Sequence, residues 1–336
     1  MNESARAFAP GNISGVFKVI PDDDPSKMHS LGLGFTVREG ATVTLAPATT
    51  ASLIFNGKAI DFPTVNNVLA VLAPGVTLSV DIETPLPLSS GFGLSGASSL
   101  AAAFAVNELL ELGQDRVALA TAAHVAEVRN LTGLGDVCAQ NHGGCLVKLI
   151  AGDPLAAEAM PVAAHTAIHY RYFSTISTRG ILSDPERRAR INAAAEAALE
   201  ELAILKSRES VDLGDPIRVS RRFAEDSGLL THDGVRDAID EVGLSHLVAA
   251  FAAGALLGSI IMTVTGGPRR QGLFMLIGIA VWFTLSFVFA LQEAKWPGFW
   301  FLVAMGVAQS AGMIALSAIL IQVTPARFRG RVMGVR

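Results

Sequence analysis

This sequence is short of charge and of cysteine. Only 17% of its 336 residues are Asp, Glu, Lys or Arg, against roughly 25% in a soluble globular protein, and its mean hydropathy is +0.44. The deficit is local: residues 1–243 carry charges at ordinary intervals, whereas the windows 247–264, 272–291 and 298–323 carry none. A net charge of −4 and a pI near 6.0 leave no basic footprint for nucleic acid. Two cysteines, Cys138 and Cys145, exclude a disulfide framework and fit free thiols in a reducing compartment. Their spacing is not Cys-x-x-Cys, and too few ligands adjoin them for a metal site. The start, "MNESARAFAPGNISG", has neither a basic n-region nor an apolar h-region, so no signal peptide is expected and the first part of the chain belongs in the cytosol.

What is present reads first as mixed α and β. "ATVTLAP" and "TLSVDIETPLPL" alternate apolar and polar residues with β-branched enrichment, the strand pattern. "GASSLAAAFAVNELLELG" reads as a helix with Gly113 at its C-terminal cap, and Asp115 caps a second helix, "RVALATAAHVAEVRN". A third starts at Ser183 or Asp184 with Pro185 in its first turn, and places Ile191, Ala195, Ala198, Leu202 and Leu205 on one face. Residues 215–242 read as two short amphipathic helices.

The stretch with most chemistry is "PLPLSSGFGLSGASSLAAAF". A strand expected to end at Pro87 runs into a Gly/Ser turn, and a helix opens near Ala97. Such a turn offers unpaired amides and a positive helix end to an anion, so phosphate is the natural guest. Gly91, Gly93 and Gly96 permit close approach, while Ser95 and Ser98 offer hydroxyls to phosphate or Mg²⁺. The turn is neither a Walker A loop nor a dinucleotide fingerprint. Further on, "AAHVAEVRNLTGLGDVCAQNHGG" sets Glu127 near a helix end and Asp136 in a glycine-flanked turn. One carboxylate suits Mg²⁺ and the other a substrate hydroxyl; equally, Glu127 fits a solvated helix end and Asp136 a plain turn. His124 reads as a packed helix residue and His142 as a loop residue.

In order, "AFAPGNISGVF", "SSGFGLSGASSLAAAFAVNEL", "AAHVAEVRNLTGLGDVCAQNHGG" and "STISTRGILSD" resemble the archaeal-type pantoate kinases of the GHMP kinase superfamily, over about residues 5–242. The resemblance implies an α+β fold with a two-layer N-terminal half like ribosomal protein S5 domain 2 (1–180) and an incomplete ferredoxin-like C-terminal half (181–243). It implies ATP and Mg²⁺, phosphorylation of the 4-hydroxyl of pantoate for coenzyme A synthesis, and allows a homodimer. By the same resemblance Gly91, Gly93, Leu94, Ser95, Gly96, Ala97 and Ser98 hold the nucleotide phosphates. Ser95 and Glu127 hold the metal and Asp136 takes the hydroxyl proton. Ser14, Gly15, Ser30, Gly32, Gly34, Gly133 and Thr178 line the pantoate end, the segment "SLGLG" being a turn. Asn12 stands where a basic residue or histidine is expected, and Leu31 where an arginine would hold the substrate carboxylate. Leucine makes no such pair, so another hydroxy acid or a homoserine-like alcohol stays open.

The closing Gly/Ser segment of GHMP kinases is missing from the pattern. Residues 244–336 instead resemble a fragment of a major facilitator superfamily transporter, ending in "TPARFRGRVMG", with transmembrane helices expected over 247–264, 272–291 and 298–323. Trp282, Trp296, Phe299 and Trp300 supply aromatics, the last three at an expected water interface. Gly254 and Gly258 form a GxxxG pair. The whole chain is therefore expected to be membrane-associated and multi-pass. Arg269 and Arg270 precede the second window, Lys295 the third, and Arg327, Arg329 and Arg331 follow it. The positive-inside rule sets both arginine-bearing segments in the cytoplasm and residues 1–243 outside, away from ATP. The halves call for opposite topologies, which implies a join at about 242–246 between a truncated kinase and an orphaned carrier fragment.

Overall fold

The computed structural model describes residues 2–162, 168, 170, 178–230, 249–264, 271–290 and 295–323. The expected join, the second amphipathic helix of 215–242 and all the flanking arginines lie outside them. The chain divides into two compact units, Met1–Thr231 and His232–Arg336.

Two long strands organise the first unit: β1 (Ala5–Ile20) and β2 (His29–Pro47) pair antiparallel along their length. The other edge of β2 is shared by β5 (Leu78–Glu83) and β6 (Cys145–Lys148), both antiparallel to it. Beyond β5 lie β3 (Ser52–Phe55), parallel to it, and β4 (Lys58–Ala59); beyond β6 lies β7 (Glu158–Ala159). Helix α1 (Pro63–Leu72) makes the crossover between the parallel pair. "SLGLG" thus lies within β2 and is not a turn, because residues 29–35 are paired on both edges, by β1 and in part by β6.

Helices α2 (Leu94–Leu110), α3 (Arg116–Asn130) and α4 (Asp136–His142) complete the layer over the sheet. The small residues of α2 let it sit centrally, apolar on every side, between Val43, Leu45, Val80 and Ile82 of the sheet and Val65, Val68, Leu119 and Ala123 of α1 and α3. It stops at Leu110, where Glu111 takes the left-handed conformation (φ 54°) before Gly113 is reached. Asp115 caps α3 by accepting the Ala118 amide at 2.7 Å. His142 is the last residue of α4, not a loop residue.

A second core packs α6 (Pro185–Lys206) and α7 (Gly214–Asp226) against Val16, Leu33 and Val147. Asp184 caps α6, and Ile191, Ala195, Ala198, Leu202 and Leu205 form its buried face. Short α5 (Thr178–Leu182) precedes it. Among the described residues after β7, the only β pairing is the isolated bridge Val162–Val211.

The second unit holds α8 (Ala249–Val264), α9 (Gln271–Ala290) and α10 (Lys295–Val323). Two of the three expected spans, in α9 and α10, are long and apolar enough to cross a membrane; α8 as described is shorter.

Candidate active site

The site begins with a fault in the β1–β2 ladder. Register shifts between Pro10 and Asn12 and between Ser14 and Val16 interrupt the pairing; such bulges re-aim side chains. Asn12 and Ser14, two apart on one face of β1, both donate to Asp136 Oδ1, at 2.6 and 2.9 Å. Asp136 is the first residue of α4. Burial raises its pKa, and the two donors pull against that rise.

Opposite stands the glycine loop. Asn56 braces its root through paired bonds to the backbone of Thr84, both 2.9 Å. Ser89, Gly91 and Gly93 all take positive φ (58°, 87° and 57°), and the Phe92 carbonyl accepts the Asn12 amide at 2.9 Å. This coiling ends in Gly93, the N-cap of α2, which has no side-chain cap. The amides of Leu94, Ser95 and Gly96 therefore open the helix toward the cleft, as an anion site requires. The Ala97 amide is already spent on the Gly93 carbonyl at 3.0 Å, and Ser98 is fully buried. Both residues are buried in the first turns of α2 behind the loop, and the Ser98 hydroxyl has no partner there.

Ser95 donates to Glu127 Oε2 at 2.9 Å, across from α3. Glu127 is 1% exposed, which removes the solvated-helix-end alternative, and its Oε1 has no partner. Burial first, then the nearby Asp136 charge, push its pKa to about 8, against smaller pulls from Ser95 and Thr132. The two carboxylates converge on Gly133: a Cβ there would lie 2.7 Å from Glu127 Oε2 and 2.8 Å from Asp136 Oδ2. Only glycine leaves this gap open.

A cavity on the β2 side is lined by Ser14, Ser30, Gly32, Gly34, Gly135 and Lys148, among others. Lys148 lies on β6 in register with Gly32; its ammonium donates to the Asp153 carbonyl, and partial burial lowers its pKa. Two neutral histidines fix the approach to Ser30. His124, buried and with its pKa lowered to about 4, donates from Nε2 to the Met28 carbonyl at 2.9 Å. His29 donates from Nδ1 to Lys27 O at 2.6 Å and accepts the Gly152 amide at Nε2.

With this geometry in hand, similarity to known proteins is informative. Residues 62–144, from α1 through α4, match the GHMP kinases N terminal domain. The chain is 31% identical to the pantoate kinase of Methanocaldococcus jannaschii over 226 residues, covering 66% of this chain and 80% of that one. It is 31% identical to the pantoate kinase of Methanospirillum hungatei over 287 residues, covering 83% and 93%. The chain belongs to the pantoate kinase family. The second match spans enough of the chain to run beyond residue 243. A solved structure described as a phosphotransferase related to the CoA biosynthesis pathway superposes with a TM-score of 0.58 at 26% identity, covering 71% of this chain and 81% of that one. The α+β fold of the first unit is accordingly that of GHMP kinases.

Within this family member the tertiary structure sorts the expected residues. Gly93, Ser95, Gly96, Glu127, Gly133 and Asp136 converge on one cleft, with Ser14, Ser30, Gly32 and Gly34 on its adjoining wall; Gly91 is an exposed residue of the loop and the Leu94 side chain is buried in the core. Gly15 does not line that wall. It is the extra residue of the second register shift, and a Cβ on it would run into Ser220 of α7. Thr178 is exposed at the start of α5 and is not among the residues that line the cavity, although Leu182 of the same helix packs near Leu134. Asn12, Gln140 and Lys148 escaped the sequence reading as contributors. Gln140 left a local signal, lying four residues after Asp136 on the same helix face, and so did Asn12, two residues before Ser14 on one strand face.

Proposed function

We propose that the chain is an ATP-dependent kinase that transfers a phosphoryl group to the 4-hydroxyl of pantoate, giving 4-phosphopantoate for coenzyme A synthesis. The observation that carries this reading is the meeting of buried Glu127 and half-buried Asp136 at Gly133, beside an uncapped helix start. In this reading the amides of Leu94, Ser95 and Gly96 cradle the phosphates. Ser95 and Glu127 hold Mg²⁺: the Glu127 oxygen that lacks a partner suits a cation. A site with one or two protein ligands is the kind Mg²⁺ shares with substrate phosphates. An ion held by these two residues would neutralise charge on the phosphates. Asp136 receives the proton of the attacking hydroxyl at Oδ2, since Asn12 and Ser14 occupy Oδ1.

The substrate carboxylate falls to Lys148, which lines the same cavity as Ser14 and Ser30 and supplies the cation that Leu31 does not. A different hydroxy acid is the second reading, favoured by the apolar Leu31 on that wall. Incubating the full chain with MgATP and a panel of hydroxy acids, with products resolved by mass spectrometry, tests both. Phosphorylation of another acid in preference to pantoate would displace the first.

We also propose that α8–α10 reside in a bilayer. The supporting observation is that several glycines lie against neighbouring helix backbone while several large apolar side chains face outward. Gly254 and Gly258 abut the backbone of Val303 and Val307, and Gly306 that of Phe251, while Leu256, Ile260, Leu276, Phe283 and Phe287 are exposed. Hydroxyls of Ser259, Thr263, Thr284 and Ser286 donate to carbonyls four residues back, as lipid surroundings demand. The likeness to a major facilitator carrier rests on the sequence pattern alone. Retention in the membrane pellet after alkaline carbonate washing is the expected result, and release into the supernatant would remove the proposal.

A further inference from the structure

Gln140 follows Asp136 by one helical turn on α4 and is only 2% exposed. Its Nε2 donates to the Gly93 carbonyl at 2.7 Å. That carbonyl also receives the Ala97 amide and so anchors the first turn of α2. A carbonyl only accepts, so the orientation of the side-chain amide is forced: nitrogen toward Gly93, oxygen away. The oxygen has no partner and looks onto Gly96, where a Cβ would come within 2.7 Å of it. On Gly93 a Cβ would meet Gln140 Nε2 at 3.0 Å and Asp136 Oδ1 at 3.2 Å. Both glycines of the loop therefore rest on the face of α4 that carries Asp136 and Gln140. Packing alone does not call for glutamine here, since leucine or methionine would fill the space without burying an unsatisfied oxygen.

We propose that Gln140 is a positioning residue that locks the phosphate loop to the helix carrying Asp136. Gly93 holds a left-handed conformation with no side-chain cap, and the Gln140 amide is the tie that keeps its carbonyl, and with it the three open amides, at a set distance from the proton acceptor. The inference rests on the kinase reading for its catalytic consequence but not for its structural one.

Two variants and two readouts separate these. Gln140→Glu keeps the shape; protonated, its carboxyl donates to the Gly93 carbonyl, and ionised it has no donor and repels that carbonyl. Burial beside Asp136 favours the protonated form at low pH. The ratio of kcat/KM for MgATP, Gln140→Glu over wild type, is expected to fall about tenfold or more between pH 6 and pH 9. Rates are corrected at each pH for the folded fraction measured by circular dichroism. Gln140→Met, with no donor at any pH, is expected to speed hydrogen exchange at the Ala97 amide, which is bonded to the Gly93 carbonyl, about tenfold. A ratio that does not change with pH overturns the catalytic lock. Unchanged exchange in Gln140→Met overturns the structural one, whether or not the chain phosphorylates anything. A wild-type chain without kinase activity, in which Gln140→Met still loosens the loop, would instead count against the kinase reading.

Discussion

The Ser95 hydroxyl donates to Glu127 Oε2 at 2.9 Å, joining the first turn of α2 to α3, while Glu127 Oε1 lies buried without a partner. A carboxylate so placed is costly while it is charged and alone. Its burial makes sense in a protein that brings a cation to it, and several consequences can be measured.

Glu127 is held near pH 8, against 4.5 in the open chain, chiefly by burial. The fold therefore favours its protonated form: this contribution to stability is full below about pH 4.5 and is lost as pH rises through 8. Without metal, Glu127→Gln should become the more stable protein between pH 5 and pH 9, by at most about 5 kcal/mol. Adding Mg²⁺ should restore the wild type at high pH and leave Glu127→Gln unmoved. Thermal melts across that range, with and without MgCl₂, check both; parallel curves for the two proteins would refute the assignment.

Asp136→Asn keeps an oxygen for Asn12 and Ser14 to bond but cannot take a proton. Turnover should fall about 10²- to 10⁴-fold, with circular dichroism and melting temperature close to wild type. Undiminished phosphorylation of pantoate by the variant would remove Asp136 from proton transfer.

Gly133→Ala is a steric probe of the carboxylate pair. Its methyl would fall 2.7 Å from Glu127 Oε2 and 2.8 Å from Asp136 Oδ2, so both must move. We expect at least about a hundredfold loss in kcat, since displacements near 1 Å cost that much. Steady-state kinetics with saturating substrates read the effect directly.

Lys148→Met removes the cation while keeping much of the stem. If Lys148 meets the substrate carboxylate, KM for the acid should rise about 10- to 100-fold, the loss of one charged hydrogen bond. KM for MgATP should stay within about twofold of wild type on the same grounds. Equal rises in both constants would mean a general distortion of the cleft.

The elements that build this site were legible because their signals are local. Asp115 and Asp184 announce helix starts through side chains that reach an amide two or three residues away. The buried face of α6 follows from helical spacing, and the glycine loop from the density of residues tolerant of positive φ. The sequence pattern sets the start of α2 three residues late, because Gly93 caps the helix without a side chain and leaves no cap residue to read. Glu127 was ambiguous for a related reason: spacing cannot distinguish a buried carboxylate from a solvated one.

By itself the sequence determined strand segments of β2 and β5, helices α2, α3 and α6, the phosphate-type loop, Ser95, Glu127 and Asp136 as candidates, and the change to apolar helices after residue 243. Tertiary structure decided which neighbours those residues meet. Asn12 and Ser14 reach Asp136 because register shifts turn one face of β1 toward α4. Lys148 joins the cavity wall because β6 pairs with β2 at Gly32. Gln140 holds Gly93 because α4 is laid against two glycines that offer no Cβ to keep it away. Ladder register and helix docking are collective outcomes of burial across the whole unit. No window of the chain short enough to show a motif contains them.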